Sequence, residues 1–284
     1  MTSLKNKDIN IRDPFVLVHN GKYYMYGTRA DNFGILTGGF DVYIGDDLEN
    51  WSEPKAIFDS AKFELNSAVN WAPEVHYYNG AFYMLATFTK PNGLRGTFIL
   101  KSDSPDGEFV PHSDGAVTPW EWECLDGTLH IENGKVYCVF CHEHTQILNG
   151  TICFVELNDD LTAAVSEPTE LFAASSFLKR EADEQNHNVT DGPFLHRNKN
   201  GTLLMIWSTC DDGYKQCISQ SDNGSIFGKW NHLIPLFTDD GGHGMVFEDL
   251  KGRLKLTLHC PNISLKEKPV FFDIEETEES LKIL

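Results

Sequence analysis

The stretch Arg12-Asp13-Pro14-Phe15-Val16-Leu17-Val18-His19-Asn20-Gly21-Lys22-Tyr23-Tyr24-Met25-Tyr26 decides the reading of the fold. Two apolar, β-branched or aromatic runs flank Asn20-Gly21. Asn-Gly suits a two-residue type I′ hairpin turn, in which both central residues take positive φ. The pattern recurs at Asn79-Gly80, Asn133-Gly134, Asn200-Gly201 and Lys251-Gly252, with successive glycines 59, 54, 67 and 51 residues apart. Later in the units come further strand-like runs. Phe40-Asp41-Val42-Tyr43 precedes Trp51, Thr151-Ile152-Cys153-Phe154-Val155 precedes Asp160-Leu161, and Cys217-Ile218-Ser219 precedes Trp230. Five units of roughly 57 residues, each with room for four short strands, predict an all-β five-bladed β-propeller spanning residues 1–284 as one domain. No stretch sustains a 3.6-residue apolar period, so helices are expected to be minor.

Counting back from each turn glycine finds the start of each first strand. Asp13, Ala72 and Asp126 lie eight residues before Gly21, Gly80 and Gly134, Asp191 ten before Gly201, and His243 nine before Gly252. These five positions are the expected blade starts. First strands line the axis of a propeller, so three Asp and one His are predicted to converge at one mouth. Gathering like charges is costly and raises the pKa of at least one carboxyl. Two chemistries suit such a group: a metal site, or paired carboxylates for acid–base work.

The charge balance narrows the partners. With 42 acidic against 23 basic residues the formal charge is −19, which argues against nucleic acid and anionic membrane. No window approaches the 18 or so apolar residues of a membrane span. Met1 to Asp8 has no apolar segment or cleavage site of a signal peptide. The seven cysteines are an odd, scattered set, and Cys138-x-x-Cys141 has no second pair, which disfavours zinc. A cytoplasmic location is the expectation, and with it a substrate small enough to be imported.

Several motifs, in order, resemble glycoside hydrolase family 43 over nearly the whole chain. They are Arg12-Asp13-Pro14, Trp71-Ala72-Pro73-Glu74-Val75, Leu125-Asp126-Gly127-Thr128, Thr190-Asp191-Gly192-Pro193-Phe194-Leu195, Gly242-His243-Gly244 and His259-Cys260-Pro261-Asn262. The resemblance implies an inverting hydrolase releasing terminal α-L-arabinofuranose, β-D-xylose or both from plant-cell-wall oligosaccharides. Asp13 would be the general base, Asp126 would tune and orient the acid, and Asp191 would be the general acid. Trp71 and His243 would contact the sugar. No cofactor is required by this reading; a structural calcium in the central channel is the one metal it allows, with His243 an indirect contact.

Two departures stand out. The blade-four acid of the family is usually Glu, and Asp191 is shorter by one methylene, about 1.5 Å of reach. Glu181 and Glu184 just upstream are the alternative acids. Lys268 stands before Pro269 where relatives often carry Arg, keeping the charge but losing the planar fork. The alternative reading is a carbohydrate-binding propeller with impaired catalysis.

Overall fold

The computed structural model describes residues 3–29, 38–63, 65 and 69–284. Five four-stranded antiparallel sheets follow one another along the chain, each built from strands in sequence order. Their innermost strands are Ile11–His19, Asn70–Tyr78, Cys124–Glu132, Asp191–Arg197 and Gly242–Glu248. The described helices are short, the α-helices being His144–Ile147 and Ser175–Leu178. The predicted five-bladed propeller is therefore the observed fold, and no described helix is long and apolar enough to cross a membrane.

Alternation along the strands builds the core between the blades. Met25, Tyr26, Phe40, Val75, Met84, Phe88 and Met245 fill the space where blades five, one and two meet. Three further apolar layers separate blades two and three, three and four, and four and five. Each blade thus buries both faces against its neighbours, which is why the strands read as nearly continuous apolar runs.

The first two strands of blades one to three turn through Asn20-Gly21, Asn79-Gly80 and Asn133-Gly134, all with positive φ. Blades four and five use longer connections: Arg197 pairs with Leu203, and Glu248 with Leu254. This one difference in turn length shifts the count back to the blade starts.

Every innermost strand carries a β-bulge at the same place, between Arg12 and Phe15, Trp71 and Glu74, Leu125 and Thr128, Asp191 and Phe194, and Gly242 and Met245. In each bulge one residue is left-handed: Asp13 (φ 53°), Ala72 (47°), Asp126 (57°), Gly192 (48°) and His243 (51°). Left-handed backbone costs a non-glycine residue about 1–2 kcal/mol. A ring of hydrogen bonds between blades offsets that strain. Thr28 accepts from the Ala72 N–H at 2.7 Å, Thr87 from Asp126 at 3.0 Å, Ser208 from His243 at 2.8 Å and His259 from Asp13 at 3.1 Å. In the third blade Cys141 occupies the Thr/Ser position, and the Gly192 N–H donates instead to Asp126 Oδ2 at 3.1 Å.

The bond from Asp13 to His259 also closes the ring. Blade five is completed by the C-terminal strand Leu281–Ile283, and blade one by strands that all precede residue 59, so among the described residues no strand is exchanged between them. Closure relies on the His259–Asp13 bond, a 2.7 Å ion pair from Arg12 to fully buried Glu267, and Trp51 stacked on Phe271. The acidic segment Glu275-Glu276 ends the third strand of blade five and leads into its edge strand.

Candidate active site

The bulges aim their residues at the axis, and at one mouth a cavity of about 260 Å³ opens. Its walls include Arg12, Asp13, Trp71, Arg95, Asp126, Glu143, Asp191, Tyr214 and His243. His243 Nδ1 lies 3.2 Å from Asp13 Oδ1, 3.5 Å from Asp191 Oδ1 and 3.9 Å from Asp126 Oδ2. The four residues expected to converge are thus brought together around one imidazole.

They do not arrive by equivalent positions. The left-handed residue of blade four is Gly192, and Asp191 stands in register with Arg12, Trp71, Leu125 and Gly242. The expectation that Asp191 shares the repeat position of Asp13 and Asp126 is corrected by one residue. The physical reason is packing. A Cβ built on Gly192 would lie 2.6 Å from the His243 ring, so the position is kept bare for the imidazole. The carboxylate enters from the residue before.

Charges in this cluster compensate one another. Burial opposes a charged His243, but Asp13, Asp126 and Asp191 outweigh it and raise the imidazole to about 10. Burial, then the charge of Asp191, pushes the Asp126 carboxyl well above its ordinary value. Burial also works to raise Asp191, yet hydrogen bonds with Asp126, His243 and Tyr214 prevail and hold it below the carboxylate range. Asp126 and Asp191 therefore behave as one carboxyl–carboxylate pair sharing a proton. Tyr214 donates to Asp191 Oδ2 at 2.5 Å; burial, then Asp191, raises its phenol well above 10, so it stays a donor. His259, buried against Asp13 Oδ1 at 3.4 Å, is pushed down to about 4 by that burial and remains neutral.

Trp71 lines the cavity, but the Arg95 guanidinium lies 5.3 Å over its ring and covers part of the apolar wall. Glu181 and Glu184 are exposed and stand outside the cavity walls, so neither replaces Asp191 as an acid at this site. The buried Glu that does line the cavity is Glu143, beside Arg95 and His144. Lys268 pairs with Asn10 and is not among the residues lining the cavity; the cavity's guanidinium beside Asp13 belongs to Arg12. Tyr214, Arg95 and Glu143 lie outside the repeat motifs, and only their position just past the second strands would have marked them.

Asp126, Asp191 and His243 offer three ligand atoms within 4.8 Å of one another. Calcium takes six to eight oxygen ligands. As direct ligands, one nitrogen and two carboxylates, with the imidazole already serving as the counter-charge, do not fit it; the indirect contact expected of His243 would run through water.

The model of the glycosyl hydrolases family 43 matches residues 8–271. This chain belongs to glycoside hydrolase family 43. A structure of an endo-arabinase from Bacteroides thetaiotaomicron superposes on this family 43 chain with a TM-score of 0.88 and 34% identity, covering 98% of this chain and 99% of that one. An α-L-arabinofuranosidase from Lactobacillus brevis, at 18% identity and a TM-score of 0.74 over 97% and 95% of the two chains, shares the fold. The curated α-L-arabinofuranosidase 43 of Humicola insolens is 22% identical over 212 residues, which is 72% of this family 43 chain but 42% of the relative. The chain thus spans less than half of that relative's length.

Proposed function

We propose that the chain hydrolyses α-L-arabinofuranosyl linkages, or the similarly shaped β-D-xylosyl ones, in pentose-rich plant-cell-wall oligosaccharides. The observation carrying this reading is that Asp13 and Asp191 meet the same imidazole nitrogen from opposite blades at 3.2 and 3.5 Å. Their near oxygens are then at most about 7 Å apart, a bound that reaches the lower edge of the roughly 6.5–9.5 Å that lets one water enter between acid and base, and the product anomer separates this from the roughly 5–5.5 Å of a retaining pair. In the proposed step Asp13 removes a proton from that water as its oxygen bonds to the anomeric carbon. The glycosidic oxygen leaves with the proton held by the Asp126–Asp191 pair, and the anomeric configuration inverts. His243 stays charged throughout and offsets the two carboxylates that flank it.

The relative described as an endo-arabinase puts arabinan first among the substrates to test. Release of terminal sugars is our reading, and cleavage within the chain is the outcome that would replace it. The experiment is turnover of an aryl α-L-arabinofuranoside, an aryl β-D-xyloside and linear arabinan, with the product anomer followed by NMR. Inverted monosaccharide supports the proposal; a series of oligosaccharides identifies internal cleavage. A retained anomer overturns the role given to Asp13.

A second reading, a propeller that binds sugar without cleaving it, draws support from Asp191 itself. It is one methylene shorter than the family's usual Glu and is held ionised by three hydrogen-bond partners. Sugar binding without turnover of any of the three substrates favours that reading.

A further inference from the structure

Beside the mouth, the connection between blades two and three runs Pro119-Trp120-Glu121-Trp122-Glu123. Trp120 is 50% exposed, which is unusual for the largest apolar side chain. The backbone beneath it is fixed with unusual care. Lys90, only 2% exposed, donates to the carbonyl oxygens of Pro119, Trp120 and Trp122 at 2.9, 2.8 and 2.7 Å. Asn92 adds a bond to the Trp120 carbonyl at 2.8 Å, and the Lys90 ammonium lies 5.9 Å from the Trp120 ring. A buried cation is costly unless its donors are met. Here all three are spent on holding one short loop, and what that loop presents to solvent is an indole.

The loop is continuous with the cavity. Trp122 stacks on His142 at 4.2 Å, one residue before the cavity-lining Glu143. Glu123 pairs with Arg95, which covers Trp71. Three residues of chain reach about 11 Å at most, so Trp120 stands within a few sugar units of the cavity wall. On its other side a groove of about 530 Å³ runs down the flank between Thr118, Val155, Ala164, Glu167 and Pro168.

We infer that Trp120 and this flanking groove form a second carbohydrate site, which grips a neutral pentose chain at a distance from the bond that is cut. A flat, rigid indole suits the apolar face of a sugar ring, and Glu167 in the groove lining accepts from its hydroxyls. The formal charge of −19 turns polyanions such as polyuronates away. This inference rests on the substrate class proposed above but not on catalysis, and its test is chosen accordingly.

The Asp13→Ala chain, which cannot degrade its ligand under the proposed mechanism, is run in native gels containing linear arabinan, arabinoxylan or polygalacturonate. Retardation by a neutral polymer, weakened about three- to tenfold by Trp120→Ala, is the expected result. Lys90→Met, which frees the loop but keeps the indole, weakens it by a smaller factor. Ile234→Ala, an exposed apolar residue on another surface, leaves it unchanged. Equal retardation with and without Trp120, retardation only by polygalacturonate, or no retardation by any polymer overturns the inference. Retardation with no turnover by the Asp13-containing chain rejects the hydrolase reading and leaves this site standing.

Discussion

Blades one and four open alike, yet their charges are displaced by one residue. Arg12-Asp13-Pro14-Phe15 places its carboxylate on the left-handed residue, while Asp191-Gly192-Pro193-Phe194 places it just before. Phe15 and Phe194 still meet edge to face, 6.2 Å apart, so the two openings are aligned. The difference shows that the bulge fixes a backbone shape rather than a side-chain role. A residue on the bulge points at the axis and is buried, as Asp13 is at 8% side-chain exposure. The residue before it faces the cavity and keeps more solvent, as Asp191 does at 24%. A base holding a water and an acid reaching a leaving group suit those two settings.

Neutralising the two carboxylates is the strongest way to break the comparison. Asp13→Asn is expected to lower turnover of an aryl α-L-arabinofuranoside by about 10³-fold or more, and Asp191→Asn by about 10²–10⁴-fold, each with a lower Tm because buried His243 loses a counter-charge. If either variant keeps near-full activity, that residue does not do the work assigned to it. Next in size is Gly192→Ala. Its methyl would enter the His243 ring and meet an unfavourable φ, so a loss of about 10²-fold in kcat is expected together with about 1–3 kcal/mol of stability by denaturant titration.

The two histidines on Asp13 Oδ1 sharpen the contrast through pH. His243 is raised to about 10, so its stabilisation is complete below the unfolded value near 6.5 and is lost as pH climbs toward 10. His259 is lowered to about 4, so its neutral form stabilises above about 6.5 and that contribution falls away as pH drops toward 4. Stability against urea should peak near pH 6.5. His243→Gln should flatten the alkaline limb alone, and His259→Gln the acid limb alone. The smallest effect is expected at blade two, whose bulge carries no functional group. Ala72→Gly relieves a left-handed alanine at the loss of one buried methyl, and the midpoint should move by no more than about 0.5–1 kcal/mol either way.

Much of this was legible from residue types. Asn20-Gly21, Asn79-Gly80 and Asn133-Gly134 announced hairpins because their positive φ values leave few other residue pairs. Asp13, Asp126 and His243 could be placed because their blades repeat faithfully enough to count along. Asp191 is misplaced because the count runs to ten in blade four to reach a carboxylate. Both longer hairpins, in blades four and five, put the bulge nine residues before the glycine, at Gly192 and His243. The shared Pro-Phe after Asp13 and Gly192 gave the same register. Tyr214 and Arg95 open the third strands of blades four and two, and Glu143 follows the second strand of blade three, positions that no repeat motif marks. The charge state of the Asp126–Asp191 pair was hidden for a different reason: it is a property of groups 65 residues apart that only folding brings together.

Among the bonds that join the first blade to the last is the one from the Asp13 amide to His259. The residue proposed to activate water is thus also a clasp of the ring. When heat or denaturant first parts the two ends, the base loses its setting while every blade is still intact. Loss of turnover should therefore run ahead of loss of sheet signal, and activity becomes a gauge of whether the circle is closed.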